Sequence, residues 1–134
     1  MKIIVCLDIK DGMMFNNRRQ SKDSKIINDI LKITKNKKIW VDEYSKELFK
    51  DDEKIIVDSD ILSNASNEDY CFVEKQDLEM NLINELIIYR WDKVYPSDKR
   101  FSYEYANMKK KSSLEFSGNS HDKIIREVYV NEEI

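Results

Sequence analysis

Between its first apolar strand and its first helix, this chain places Met14-Phe-Asn-Asn-Arg-Arg-Gln-Ser-Lys-Asp23. Arg18 and Arg19 bring two adjacent guanidinium groups, flanked by the amides of Asn16, Asn17 and Gln20 and the hydroxyl of Ser21. These are the donors that bind a phosphate or carboxylate. The segment follows the carboxyl end of a strand, where open α/β sheets hold ligands. It also precedes a helix N-terminus, whose N–H groups favour anions. The chemistry implied is anion binding: a nucleotide, a phosphate or a partner's carboxylate. The competing reading pairs both arginines with the chain's own acids. Asp23 is the candidate catalytic acid of the segment, although an Asp there also serves the helix dipole.

A second cluster lies near the only proline, Pro96. Tyr89, Arg90, Trp91 and Tyr95, with Asn119, Ser120 and His121 of a later polar turn, mix aromatic rings with an arginine. That mixture is typical of interaction surfaces and equally of half-buried strands. Strand alternation puts Tyr89 and Trp91 on one face and Arg90 on the other. His121, the only histidine, reads as a hydrogen-bonding group of the turn. Spacing assigns no Ser or Cys nucleophile to it. Asp8, Asp11 and Asp23 would suit Mg²⁺ if they converged, as in a metal-dependent nuclease. Their spacing gives no sign of convergence, and no metal ligand is assigned.

The elements that must position these groups belong to one domain. The 134 residues are 41% hydrophobic and 37% charged, with net charge −3, which suits a single globular core over residues 1–134. Nucleic acid is not an expected partner, because phosphate neutralisation needs a net basic face. Lys109-Lys110-Lys111 reads as a solvated loop. With two glycines, little material exists for a glycine-rich phosphate loop. Cys6 and Cys71 sit in apolar runs and read as buried reduced thiols. "MKIIVCLD" meets an acid too early for a signal peptide, and no run reaches the ~20 apolar residues of a membrane span. A cytoplasmic location with no membrane contact is expected.

Residues 2–7 form an apolar strand, buried on both faces. Residues 8–21 read as a loop, Ser21 as the N-cap and residues 22–35 as an amphipathic helix carrying Ile26, Ile27, Ile30 and Leu31. Strands follow at 37–41, 54–58, 70–74 and 85–91, with short helices at 44–49 and 77–83. The alternation predicts an α/β fold: a mostly parallel sheet with right-handed crossover helices. Residues 113–120 and 123–130 read as strands of a C-terminal antiparallel hairpin, turning at Gly118-Asn119.

This order resembles dihydrofolate reductase over almost the whole chain. "KIIVCLDIKDGMMFNN" resembles that family's first strand and the loop over its substrate. "SKDSKIINDILKIT" resembles the helix lining its folate pocket. "KKIWVDEYSKELF" with "EKIIVDSD", "ELIIYRWDKVYPSDKRF" and "SGNSHDKIIREVYV" resemble later strands and turns. The resemblance implies Asp23 as the pterin-anchoring acid. The departures bear on the cofactor. The family's Gly-Gly after the fourth strand is replaced by "VEKQDL", bringing Glu74 and Asp77. Its Gly-Arg-x-Thr is replaced by "DEYS", where Asp42 and Glu43 repel phosphate. Arg18, Arg19 and Gln20 stand where a pterin needs apolar walls. No cofactor is therefore expected. The expected role is a binding module for a partner protein or small anionic ligand, without NADPH-dependent reduction. An enzyme for a nucleotide or pteridine, using Asp23, is the alternative. The chain is shorter than the family around residues 59–84, and apolar surface exposed there would allow homodimerisation. "NNRRQS", "YRW" and "GNSH" also resemble short bacterial proteins named ribonuclease Z. That dinuclear zinc chemistry needs several imidazoles, and this chain has one.

Overall fold

The structure is a computed structural model and describes residues 1–79, 82–101 and 108–131. At its centre lies β1 (Lys2–Leu7). Ile3, Val5 and Leu7 enter one hydrophobic cluster and Ile4 the other, the period-2 pattern of a strand covered on both faces. On one side β1 pairs in parallel with β6 (Tyr70–Phe72), which pairs with β4 (Ile39–Val41), which pairs with β5 (Ile55–Val57). On the other it pairs in parallel with β7 (Glu85–Arg90). Antiparallel β10 (Ile124–Asn131) and β9 (Met108–Phe116) complete a seven-stranded sheet of order β5-β4-β6-β1-β7-β10-β9. The mostly parallel α/β architecture with a C-terminal hairpin agrees with the sequence reading.

Helix α1 (Ser24–Ile33) buries Ile26 and Ile30 against the second cluster. Helix α2 (Glu43–Phe49) buries Phe49, which meets Phe72 edge-on at 5.1 Å. Four details differ from expectation. The N-cap of α1 is Asp23, not Ser21: its side chain accepts from Lys25 N. Residues 8–21 are not a loop, because β2 (Gly12–Phe15) pairs with β3 (Arg18–Arg19) and with β8 (Lys99–Arg100) in a second, three-stranded sheet. Residues 77–79 are not helical, while an unexpected α3 (Ile61–Asn64) buries Ile61. Residues 80 and 81 of the helix expected at 77–83 lie outside the described residues, and seven residues alone make a marginal helix. Finally, Lys109, Lys110 and Lys111 lie on β9 and are exposed on this edge strand, where lysines disfavour pairing with another chain.

Within the segment expected to expose apolar surface, Ile61 is buried and Leu62 and Leu78 pack on the core. Leu82, 50% exposed, is its one exposed large apolar side chain among the described residues. Among the same residues no helix is long and apolar enough to cross a membrane.

Candidate functional site

Asn16 and Asn17 have φ values of 51° and 60°. Two consecutive left-handed residues between β2 and β3 make the tight hairpin turn whose twist suits antiparallel strands, and Asn tolerates that region best after Gly. The paired asparagines are thus explained by the turn. The hairpin then separates the two arginines.

Arg19 turns inward, 13% exposed, and its fork is occupied by the chain itself. Its Nε and one terminal nitrogen donate to Glu74 at 2.9 and 3.0 Å; the other terminal nitrogen donates to Glu47 at 2.6 Å. The guanidinium also lies 4.2 Å from the Tyr44 ring. Ser45 donates a further bond of 2.7 Å to Glu74. Burial works against the Arg19 charge, but the two glutamates outweigh it and raise its pKa. Glu74, expected only as a group hostile to phosphate, is the buried half of a bidentate ion pair. Arg18 is exposed, and its side chain has no ion pair or hydrogen bond among the described residues.

Asp8 is buried at the end of β1. It accepts from the N–H groups of Lys10 and Gly12 at 2.8 Å and of Tyr95 at 3.1 Å, and from the Gln20 side-chain amide at 3.1 Å. Burial raises its pKa, but these donors together outweigh burial and hold it below the ordinary carboxylate value. Gln20 Oε1 is buried without a partner. Asp11 pairs with Arg90 at 2.9 Å. Asp8, Asp11 and Asp23 do not converge: no three acidic, His or Cys side chains among the described residues could hold a metal ion.

Asp23 is a further buried carboxylate, its side chain fully inaccessible. Lys25 N and Asn119 N donate to Oδ1 at 2.9 and 2.8 Å. Ser120 N, Ser120 Oγ and His121 Nδ1 approach Oδ2 at 2.9, 3.2 and 2.8 Å. Burial again opposes ionisation, and the Asn119, His121, Ser120 and Lys25 donors again outweigh it, holding Asp23 well below the usual carboxylate range. An ionised Asp23 requires a proton on His121 Nδ1. In the neutral ring Nε2 is then bare, and it lies 2.9 Å from Ser21 Oγ and 3.1 Å from Tyr95 Oη. Trp91 stacks on the imidazole at 4.6 Å and 30°.

Of the residues expected to form an interaction surface, Tyr89, Trp91 and His121 are buried. Tyr89 donates to Asp29 at 2.6 Å. Arg90 bonds Glu127 at 2.9 Å. Asn119 is exposed and Tyr95 half-buried. Behind Asp23 a cavity of about 20 Å³, lined by Cys6, Met13, Ile26, Phe72 and Trp91, has room for about one water. Burial, aided by the Glu74 charge, pushes the Cys6 thiol far up and leaves it protonated. Burial likewise pushes Cys71 up to about 11. In front, Arg18, Ser21, Lys22, Tyr44, Glu47 and Ser120 line an open groove of about 590 Å³.

No family model and no curated protein sequence matches the chain. Among solved structures it is similar to dihydrofolate reductase from Enterococcus faecalis complexed with NADP(H) and RAB-propyl. That similarity has a TM-score of 0.69 at 8% identity, over 98% of this chain and 95% of that one. The chain has a dihydrofolate-reductase-like fold.

Proposed function

We propose that this chain uses the reductase fold as a binding module, without NADPH-dependent reduction, and holds a small anionic ligand or a partner's carboxylate. The observation that carries this reading is the state of Asp23. The acid that would anchor a pterin accepts five hydrogen-bond donors from its own chain, and the cavity beside it has room for about one water. A carboxylate so engaged has little capacity left for a ligand.

The phosphate side supports the same reading. Asp42 caps α2, accepting from Ser45 N at 2.8 Å and from Gln76 at 2.9 Å. The positive end of that helix is thereby met by an internal anion. Glu74 holds Arg19, so the arginine open to a ligand is Arg18. It shares the groove with Lys22 and Ser21, and with Asn16 and Gln20 it lines an adjoining recess. Two free thiols accord with a cytoplasmic location.

Thermal unfolding tests the reading. NADPH and an antifolate are expected to leave the melting temperature unchanged. A nucleotide or simple anion at 100 times its Kd should stabilise by about 2.7 kcal/mol. Arg18→Ala should weaken that ligand by roughly 1.5–3 kcal/mol, one charge-assisted hydrogen bond. Stabilisation by NADPH or the antifolate would overturn the reading.

A further inference from the structure

We propose that Ser21, His121 and Asp23 form a nucleophilic triad that hydrolyses small esters at the mouth of the crevice, through an acyl group carried on Ser21. This goes beyond the binding reading and does not depend on it.

The geometry has the required order. Asp23 Oδ2 lies 2.8 Å from His121 Nδ1, and His121 Nε2 lies 2.9 Å from Ser21 Oγ. A carboxylate fixing the tautomer, an imidazole base and a hydroxyl within its reach are the three roles of such a site. Burial is graded the same way. Asp23 and the imidazole are enclosed, with side-chain exposures of 0% and 3%. Ser21 is half-buried and lines the open groove. Trp91, stacked on the ring, holds its plane, so Nε2 stays aimed at the groove side. Satisfying Asp23 alone would require neither Ser21 nor Tyr95, because its four other donors come from Lys25, Asn119 and Ser120.

Tyr95 adds a further role. Its hydroxyl lies 3.1 Å from the same Nε2. The single lone pair of a neutral imidazole accepts one donor fully. When Ser21 donates, the Tyr95 O–H is left to donate elsewhere, and we assign it to the carbonyl oxygen of the substrate.

In the reaction, Ser21 Oγ bonds to the ester carbonyl carbon while its proton passes to His121 Nε2. The carbonyl electron pair moves to oxygen, facing Tyr95 Oη. Collapse of the adduct breaks the bond to the alcohol, which leaves with the proton from His121. Water then attacks the acyl-Ser21 carbonyl, with Nε2 again taking the proton. A carboxylic acid departs and Ser21 regains its hydrogen. Asp23 remains ionised throughout.

The test combines 4-nitrophenyl acetate hydrolysis with fluorophosphonate labelling and peptide mapping of the intact chain. We expect the label on Ser21 and saturable hydrolysis. Ser21→Ala should lose the label and at least about 100-fold in kcat/KM, with its melting temperature retained. Ser113→Ala, on the exposed face of β9, should change neither. Tyr95→Phe should lower kcat while Ser21 is still labelled. Ser21→Cys supplies a second reading, because iodoacetamide should alkylate it well before Cys6 or Cys71. An unlabelled Ser21 in the folded chain, or hydrolysis unchanged by Ser21→Ala, would overturn the proposal. Both probes lack an anionic group, so failure here leaves anion binding at Arg18 standing, and loss of anion binding leaves this result standing.

Discussion

Asp8 and Asp23 are built on one plan and end differently. Each is a buried carboxylate that gathers N–H groups from segments far apart in the chain. Each has one of the chain's two glycines pressed against it. A Cβ on Gly12 would come within 2.7 Å of Asp8 Oδ2, and one on Gly118 within 2.5 Å of Asp23 Oδ2. The groups that bond the Asp8 carboxylate are all amides, which do not titrate. Among the partners of Asp23 is an imidazole, whose far nitrogen carries the connection to Ser21, Tyr95 and the groove. A saturated buried carboxylate is therefore not itself a sign of chemistry. What distinguishes the second site is a partner with another reactive atom. Tyr95 joins the two, its N–H on Asp8 and its hydroxyl on His121.

Removing the carboxylates should separate the sites most strongly. Asp23→Ala strands an imidazole and buried N–H groups and should cost about 3–5 kcal/mol in urea unfolding, as expected for breaking a buried pair. Asp8→Ala should cost about 3 kcal/mol through its unsatisfied donors. Equal loss of ester hydrolysis in Asp8→Ala and Asp23→Ala, both measured under folding conditions, would erase the functional distinction. Gly118→Ala and Gly12→Ala should each cost about 1–3 kcal/mol by overpacking, and only Gly118→Ala should also shift the His121 ring resonances. Acid titration gives a shared effect. Both carboxylates have depressed pKa values in the folded state, so the unfolded chain binds more protons near and below pH ~3.9. Stability should be constant above that value and fall as pH drops through the folded pKa values, with a shallower fall in Asp23→Asn. Tyr95→Phe should be the mildest, about 1 kcal/mol or less, because its N–H remains on Asp8.

The sheet was largely legible because period-2 and continuous apolar runs such as "KIIVCL" and "ELIIYR" report directly on burial. The hairpin at Asn16-Asn17 carried a readable signal too: two Asn between short extended segments suit a turn needing positive φ. The sites were not legible as assemblies. Arg19 meets Glu74 across 55 residues and Asp23 meets His121 across 98, and no local pattern encodes a contact at such separation. Asp23 and His121 could be singled out by type. Ser21 was legible as a polar residue before a helix, and its partnership with the ring arises from the way the turn after β9 docks onto the start of α1.

The central claim is that Asp23 fixes the His121 tautomer and presents Nε2 to Ser21 and Tyr95. Nitrogen-15 NMR tests it directly, since the chain has a single histidine. We expect a slowly exchanging proton fixed on Nδ1 in the hydrogen bond to Asp23. A ring protonated at Nε2 instead, or one averaging freely between tautomers as in a solvated imidazole, would contradict the account.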